Sequence, residues 1–116
     1  MTSEENPHGI PPANGKPLNE ALIGEAQRGP FCEMFSKVTV PPGIHTRYHQ
    51  HVGNYEVYYI LSGEAEYIDN GIRRRVRAGD VTYTADGEWH GFDNSGGTEP
   101  LVFIAVIIKT GAPAKE

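Results

Sequence analysis

Residues 49 to 56, HQHVGNYE, place two of the chain's five histidines one residue apart, with a glutamate five positions after the second. Side chains two apart on a strand project to the same side, about 6 to 7 Å from one another. His49 and His51 therefore face one way, and their imidazoles can converge on a common point. Glu56, opening the next strand after the link Val52 to Tyr55, can be brought alongside. Two imidazoles and a carboxylate suit divalent iron, manganese, nickel, copper or zinc. His90, in DGEWHGFDN between Gly87 and Gly91, is a fourth candidate ligand. His45 shares the parity of His49 but reads as a loop residue, and His8 lies in a proline-rich arm with no role assigned.

The same parity argument yields candidates around such a site. Arg47, two before His49, should face inward near a mouth, where its planar fork could hold a carboxylate or phosphate; an ion pair with one of the 15 acids is the alternative. Tyr58, two beyond Glu56, lies on the ligand side of its strand, either as a donor to substrate or as a core residue with its hydroxyl satisfied. Arg47 and Tyr58 are the candidate catalytic residues. Phe92, two beyond His90, is most simply a dry cavity wall. Tyr83 and Trp89 fit either a pocket lining or the outer face.

The elements that must position these residues read as β. From Phe31 onward, FCEMFSKVTV, HTRYHQH, EVYYILSG, EAEYID, IRRRVRAGD, VTYT, WHGFDN and LVFIAVII are short β-rich runs broken by Gly, Pro, Asn and Asp. Their spacing suggests a sandwich or barrel. Asn70-Gly71 is a two-residue hairpin signal, because both turn positions require positive φ, so 64 to 69 and 72 to 77 should pair antiparallel. Residues 1 to 30 read as an N-terminal arm, extended over the first 20 where Pro7, Pro11, Pro12 and Pro17 fall without periodicity, with a short helical turn around Asn19 to Glu25. Residues 31 to 116 read as one domain. In EVYYILSG and LVFIAVII both faces are apolar, which requires a cover over the outer face: a second subunit or the arm folded back.

A chain of 116 residues and 12.7 kDa fits a single domain. A net charge of −5 argues against nucleic acid, whose phosphates call for a basic surface. The one basic run, Arg73, Arg74, Arg75 and Arg77, would be split between two strand faces. No apolar run is long enough for a membrane span and the first residues, MTSEENPHGI, lack a signal pattern, so a cytoplasmic location is expected. The single cysteine, Cys32, excludes an internal disulfide or a cysteine zinc cage and is expected to be a small buried apolar residue.

The chain resembles the cupin family, specifically small single-domain microbial cupins. Residues 43 to 63 carry Gly43, five residues, His49-x-His51, four residues, Glu56, six residues and Gly63; residues 79 to 94 carry Gly79, five residues, Ala85-x-Gly87, two residues, His90, three residues and Asn94. Only Ala85 departs, standing where the family usually has proline, which suggests a looser loop. The resemblance implies an all-β, antiparallel jelly-roll (double-stranded β-helix) barrel with one divalent transition metal (Mn, Fe, Ni, Zn, Co or Cu) bound by His49, His51, Glu56 and His90. Four ligands around a six-coordinate ion leave two positions for water or a chelating small molecule. The functions this allows are a metalloenzyme acting on a small carboxylate, keto or polyhydroxy compound, by dioxygenase, decarboxylase or isomerase chemistry, or a non-catalytic metal or ligand-binding module. The expected partners are a small molecule, anionic if Arg47 meets it, and a second copy of the chain as a homodimer.

Overall fold

The computed structural model describes residues 6 to 111. In chain order its elements are β1 (Leu18–Ala21), α1 (Glu25–Arg28), β2 (Cys32–Val40), β3 (His49–Gln50), β4 (Asn54–Ser62), β5 (Glu64–Asp69), β6 (Ile72–Arg77), β7 (Val81–Thr84), β8 (Trp89–Asp93) and β9 (Leu101–Lys109). The strands form a five-stranded sheet in the order β1-β2-β9-β4-β7 and a four-stranded sheet in the order β3-β8-β5-β6, with antiparallel pairing throughout. This is the all-β jelly roll that the resemblance implies, and it fits the sandwich or barrel that the strand spacing suggests.

Alternation decides which face closes the barrel. Val38, Val40, Tyr58, Ile60, Leu101, Phe103 and Ala105 from the larger sheet pack against Ala65, Tyr67, Val76 and Phe92 from the smaller one, and all are buried. Stacked and tilted rings join the layers, with Tyr58 and Phe92 centroids 5.2 Å apart and Phe92 and Phe103 4.9 Å apart. The β5–β6 hairpin turns at Asn70 (φ 50°) and Gly71 (φ 85°), as the dipeptide requires.

Four expectations are corrected. Leu18–Ala21 is a strand that adds to the edge of β2, and the helical turn comes later, at Glu25–Arg28, where the Gly24 N–H donates to Gln27 Oε1 at 2.8 Å. The free edge of β2 offers Leu18 to Ala21 more backbone hydrogen bonds than an isolated turn of helix could. The run 45 to 51 is paired as a strand only at His49–Gln50, with a single bridge from His45 to Asp93. Cys32 is half-buried rather than buried, because it starts its strand at the barrel's end. The described part of the arm does not cover the doubly apolar strands: Tyr59, Leu61, Val81 and Tyr83 remain exposed on the outer face.

The arm is nevertheless fastened. The Tyr48 hydroxyl meets His8 Nδ1 at 2.7 Å, His8 stands edge-on to Tyr48 and Trp89, and Trp89 stacks on Tyr48 at 5.6 Å. His8 and Trp89 thus form an arm clamp on the side of β8 away from the core. His45 Nε2 donates to the Pro12 carbonyl at 2.6 Å, which gives the other loop histidine a structural use. All four arginines of the basic run meet acids: Arg73 with Glu66 and Asp93, Arg74 with Asp69, and Arg75 and Arg77 with Glu64.

Candidate metal centre

The strand register brings the ligand set together. His49 on β3 lies directly opposite His90 on β8, so both rings leave the smaller sheet toward the interior. His51 follows β3, and the chain turns at Gly53 (φ 80°) to bring Glu56 in on β4 from the larger sheet. Imidazole centroids are 4.8 to 5.0 Å apart in all three pairings. One donor atom from each of the four residues lies within 4.8 Å of the others, and the group could hold a metal ion.

Three of these atoms form a tight triangle: His51 Nε2 to Glu56 Oε1 is 2.9 Å, His90 Nε2 to Glu56 Oε1 is 3.0 Å and His51 Nε2 to His90 Nε2 is 3.0 Å. Bonds of about 2.1 Å to one cation at right angles place neighbouring ligands about 3.0 Å apart, so the triangle matches three adjacent corners of an octahedron. The donors' chemistry agrees. Each imidazole is held through its far nitrogen: His49 Nδ1 by the Arg47 carbonyl at 2.9 Å, His51 Nδ1 by Asn54 Oδ1 at 2.7 Å, and His90 Nδ1 by Thr84 Oγ1 at 2.7 Å and the Tyr67 hydroxyl at 3.0 Å. With Nδ1–H spent outward, the Nε2 lone pairs and the carboxylate face one another, and one shared proton is all that separates three acceptors. A divalent cation satisfies that cluster better than a proton can.

Protonation follows from the same contacts. Burial, reinforced by the neighbouring His90 and His51, pushes His49 down to about 4. Burial also lowers His90. Burial acts to raise the Glu56 carboxyl, but hydrogen bonds and charge from His51 and His90 outweigh it and hold the group at about 2. Burial would lower His51 too, yet its bonds to Glu56 and Asn54 prevail and it sits above the ordinary histidine value. The proton on His51 is therefore the one a bound cation would displace. Metal affinity is expected to fall about tenfold per pH unit as pH drops below the His51 value, since one proton competes. Calorimetric titration of the chelator-stripped protein between about pH 7 and about pH 5 checks this; a two-proton slope would mean that a second histidine is also charged.

The supporting groups were not singled out in the sequence. Thr84 lies opposite Glu56 across β4 and β7, a relation visible only once the strand order is known. Asn54 stands three residues after His51 within the quoted stretch and also donates to Glu33 Oε1 at 2.7 Å, so a carboxylate backs the ligand through an amide. Asn54→Ala is expected to lower metal affinity by about 10- to 100-fold with the fold intact, read by competition with a metal indicator. Asn94, the last matched motif residue, serves the scaffold: its amide donates to the carbonyls of Val40, Pro41 and Glu99.

Ala85 makes its loop tighter than the missing proline suggests. Its N–H, which proline would lack, donates to Glu88 Oε1 at 2.8 Å, while the Glu88 N–H donates to the Ala85 carbonyl at 3.0 Å. The loop is stitched to the site as the His51 N–H donates to the Glu88 carbonyl at 3.0 Å.

His49 and Glu56 open onto a cavity of about 560 Å³ whose walls include Arg47, Tyr58 and Phe92. Arg47 is exposed at its rim and makes no ion pair among the described residues. Tyr58 is buried and core-like: its ring stacks on His90 at 5.0 Å and its hydroxyl reaches His90 Nε2 at 3.4 Å. Burial, with the Glu56 charge beside it, pushes the Tyr58 phenol well above its ordinary value. Phe92 is the apolar wall expected of it, and Tyr83 belongs to the outer face beside Tyr55.

Comparison with known proteins gives relatives of the same kind. An oxalate-binding protein of Thermotoga maritima is 45% identical over 77 residues, covering 66% of this chain and 63% of that protein. The dimethylsulfoniopropionate lyase DddQ of Ruegeria pomeroyi is 38% identical over 73 residues, 60% of this chain but 35% of that protein. The chain thus spans less than two thirds of either curated relative. A Thermotoga maritima structure described as a predicted oxalate decarboxylase superposes with a TM-score of 0.73 at 32% identity, over 82% of this chain and 93% of that one. A double-stranded β-helix protein of Klebsiella pneumoniae gives 0.70 at 30% identity, over 89% of this chain and 85% of that one. Residues 36 to 107 match the family model for the cupin domain, a span that runs from β2 to β9 and takes in both motifs; the chain belongs to the cupin family.

Proposed function

We propose that this cupin holds one divalent transition metal through His49, His51, Glu56 and His90, and captures a small chelating carboxylate of the oxalate class against it. The observation that carries this reading is that His49 and Glu56 open onto the cavity, with Arg47 free at its rim. A divalent ion held by His49, His51, Glu56 and His90 would supply Lewis acidity toward the oxygens of a bound ligand. The residues do the rest: Arg47 offers a bidentate fork to an anionic group, and Phe92 and Phe103 exclude water from one wall. The name of the Thermotoga maritima relative supports the choice of anion.

The test is elemental analysis of protein purified without added metal, followed by calorimetry with oxalate. Near-stoichiometric metal and one-to-one oxalate binding that disappears after chelation are expected. Oxalate binding that survives complete chelation would refute the reading, as would a loaded protein that ignores oxalate.

A second reading, turnover of that ligand by decarboxylase, dioxygenase or isomerase chemistry, is favoured by Tyr58, whose neutral hydroxyl lies beside the ligand set and on the cavity wall. Its raised pKa keeps the hydroxyl neutral, which suits it to donate a hydrogen bond to a ligand oxygen rather than to act as a base. Glu56 is the only carboxylate lining the cavity among the described residues, so capture needs fewer groups than catalysis. If turnover occurs, Tyr58→Phe should lower kcat far more than it changes KM.

The reading includes a homodimer across the outer face, supported by exposed Tyr59, Leu61, Val81 and Tyr83 lying together on β4 and β7. Leu61→Glu combined with Tyr83→Glu is expected to halve the mass seen by light scattering. A wild-type protein that stays monomeric at high concentration rules this partner out.

A further inference from the structure

We infer that the N-terminal arm is part of the ligand site, and that Lys16 pairs with Arg47 to select a dianion over a monoanion. This rests on the carboxylate reading above and names its charge class.

The arm lines the cavity between two anchor points. At the first, the Asn14 side chain accepts from the His45 N–H at 2.9 Å and donates to the Gly43 carbonyl at 3.0 Å, while the Asn14 N–H donates to the His45 carbonyl at 3.3 Å. At the second, Leu18 enters β1 opposite Thr39 of β2. Only Gly15, Lys16 and Pro17 span the gap, and all three line the cavity. Their freedom is small. Gly15 is pressed against Ile44, such that a Cβ there would stand 2.6 Å from Ile44 Cδ1, and the ring of Pro17 fixes its own φ. Lys16 is thus carried at the middle of a short strap along the cavity wall, exposed to solvent.

Charge then defines the ligand. The cavity's charged lining consists of Lys16, Arg47 and Glu56, and neither cation has an ion-pair partner among the described residues. Glu56 is already engaged by two imidazoles. Around a divalent ion that Glu56 only half neutralises, two further cations leave a surplus of about three positive charges. A sugar does not answer that surplus, and a monocarboxylate answers only part of it. A dicarboxylate can chelate through one oxygen of each carboxylate and turn its outer oxygens to Lys16 and Arg47.

The experiment uses the full-length, metal-loaded protein and compares oxalate with glycolate, two-carbon chelators of charge two and one, by calorimetry. Lys16→Gln is expected to weaken oxalate about fivefold and glycolate less than about twofold. Lys16→Arg should restore oxalate binding, metal content should be equal in all variants, and the Lys16→Gln effect should shrink in high salt. Equal losses for both ligands, or none for either, overturn the inference while leaving the carboxylate reading in place. A wild-type protein that binds neither overturns both.

Discussion

His51→Ala is expected to lower metal affinity by more than about 100-fold, beyond what losing a supporting residue causes. His51 holds the corner of the triangle facing both Glu56 and His90, and its Nδ1 is locked by Asn54. Alanine removes that corner and the lock at once. The fold is expected to persist, because the apolar cluster that closes the barrel does not include His51. The cost is the buried Glu56 carboxylate losing one of two partners, about 1 to 3 kcal/mol. Metal content after purification and a far-ultraviolet dichroism spectrum read the two effects separately. Retained metal would show that His51 is not a ligand; an unfolded protein would show that the site and the barrel are not separable.

Phe92→Ala is expected to be the most destabilising single change near the site, at about 3 to 5 kcal/mol. Phe92 is 2% exposed and touches Tyr58, Tyr67 and Phe103 with centroids 5.2, 5.1 and 4.9 Å away. Its removal leaves a hole between the two sheets and widens the ligand cavity on the same side. Against a total stability on the order of 5 to 15 kcal/mol, that loss approaches unfolding. Phe92→Leu keeps most of the volume and should cost less than about 1.5 kcal/mol. Urea denaturation of both variants measures the difference; nearly equal midpoints would mean that the neighbouring rings collapse into the space.

The group that could hold a metal was legible in the sequence because its spacing is a local property. His49 and His51 were paired by the period of a strand that turns out to end at Gln50, with His51 just beyond it, and Glu56 and His90 followed from motif spacing. Asn70-Gly71 fixed its hairpin for an equally local reason. What local reading could not supply was strand order. Thr84 lies behind His90 only because β7 pairs with β4, and Tyr67 arrives there from the opposite sheet. The arm was misread for a related reason. Its prolines correctly excluded long helix, but the pairing of Leu18–Ala21 depends on the edge of β2, which nothing in those four residues announces. Lys16 was passed over because its position comes from two anchors, one before and one after it. The Ala85 substitution was read as a loss of stiffness, and the gained N–H that binds Glu88 could not be seen without the loop's shape.

The sheet order has a kinetic corollary. β2 pairs along its length with β9, so Cys32–Val40 must wait for Leu101–Lys109 before the larger sheet can close, and β4 docks on the other edge of the same late strand. Loop closure over such a separation comes before the contacts that reward it, which places refolding on the order of milliseconds to seconds rather than microseconds. During synthesis, Glu56 can pair with Thr84 of β7 before β9 emerges, but its other strand partner, Ile107, arrives only with β9, so the candidate triangle is held from one side until that strand docks.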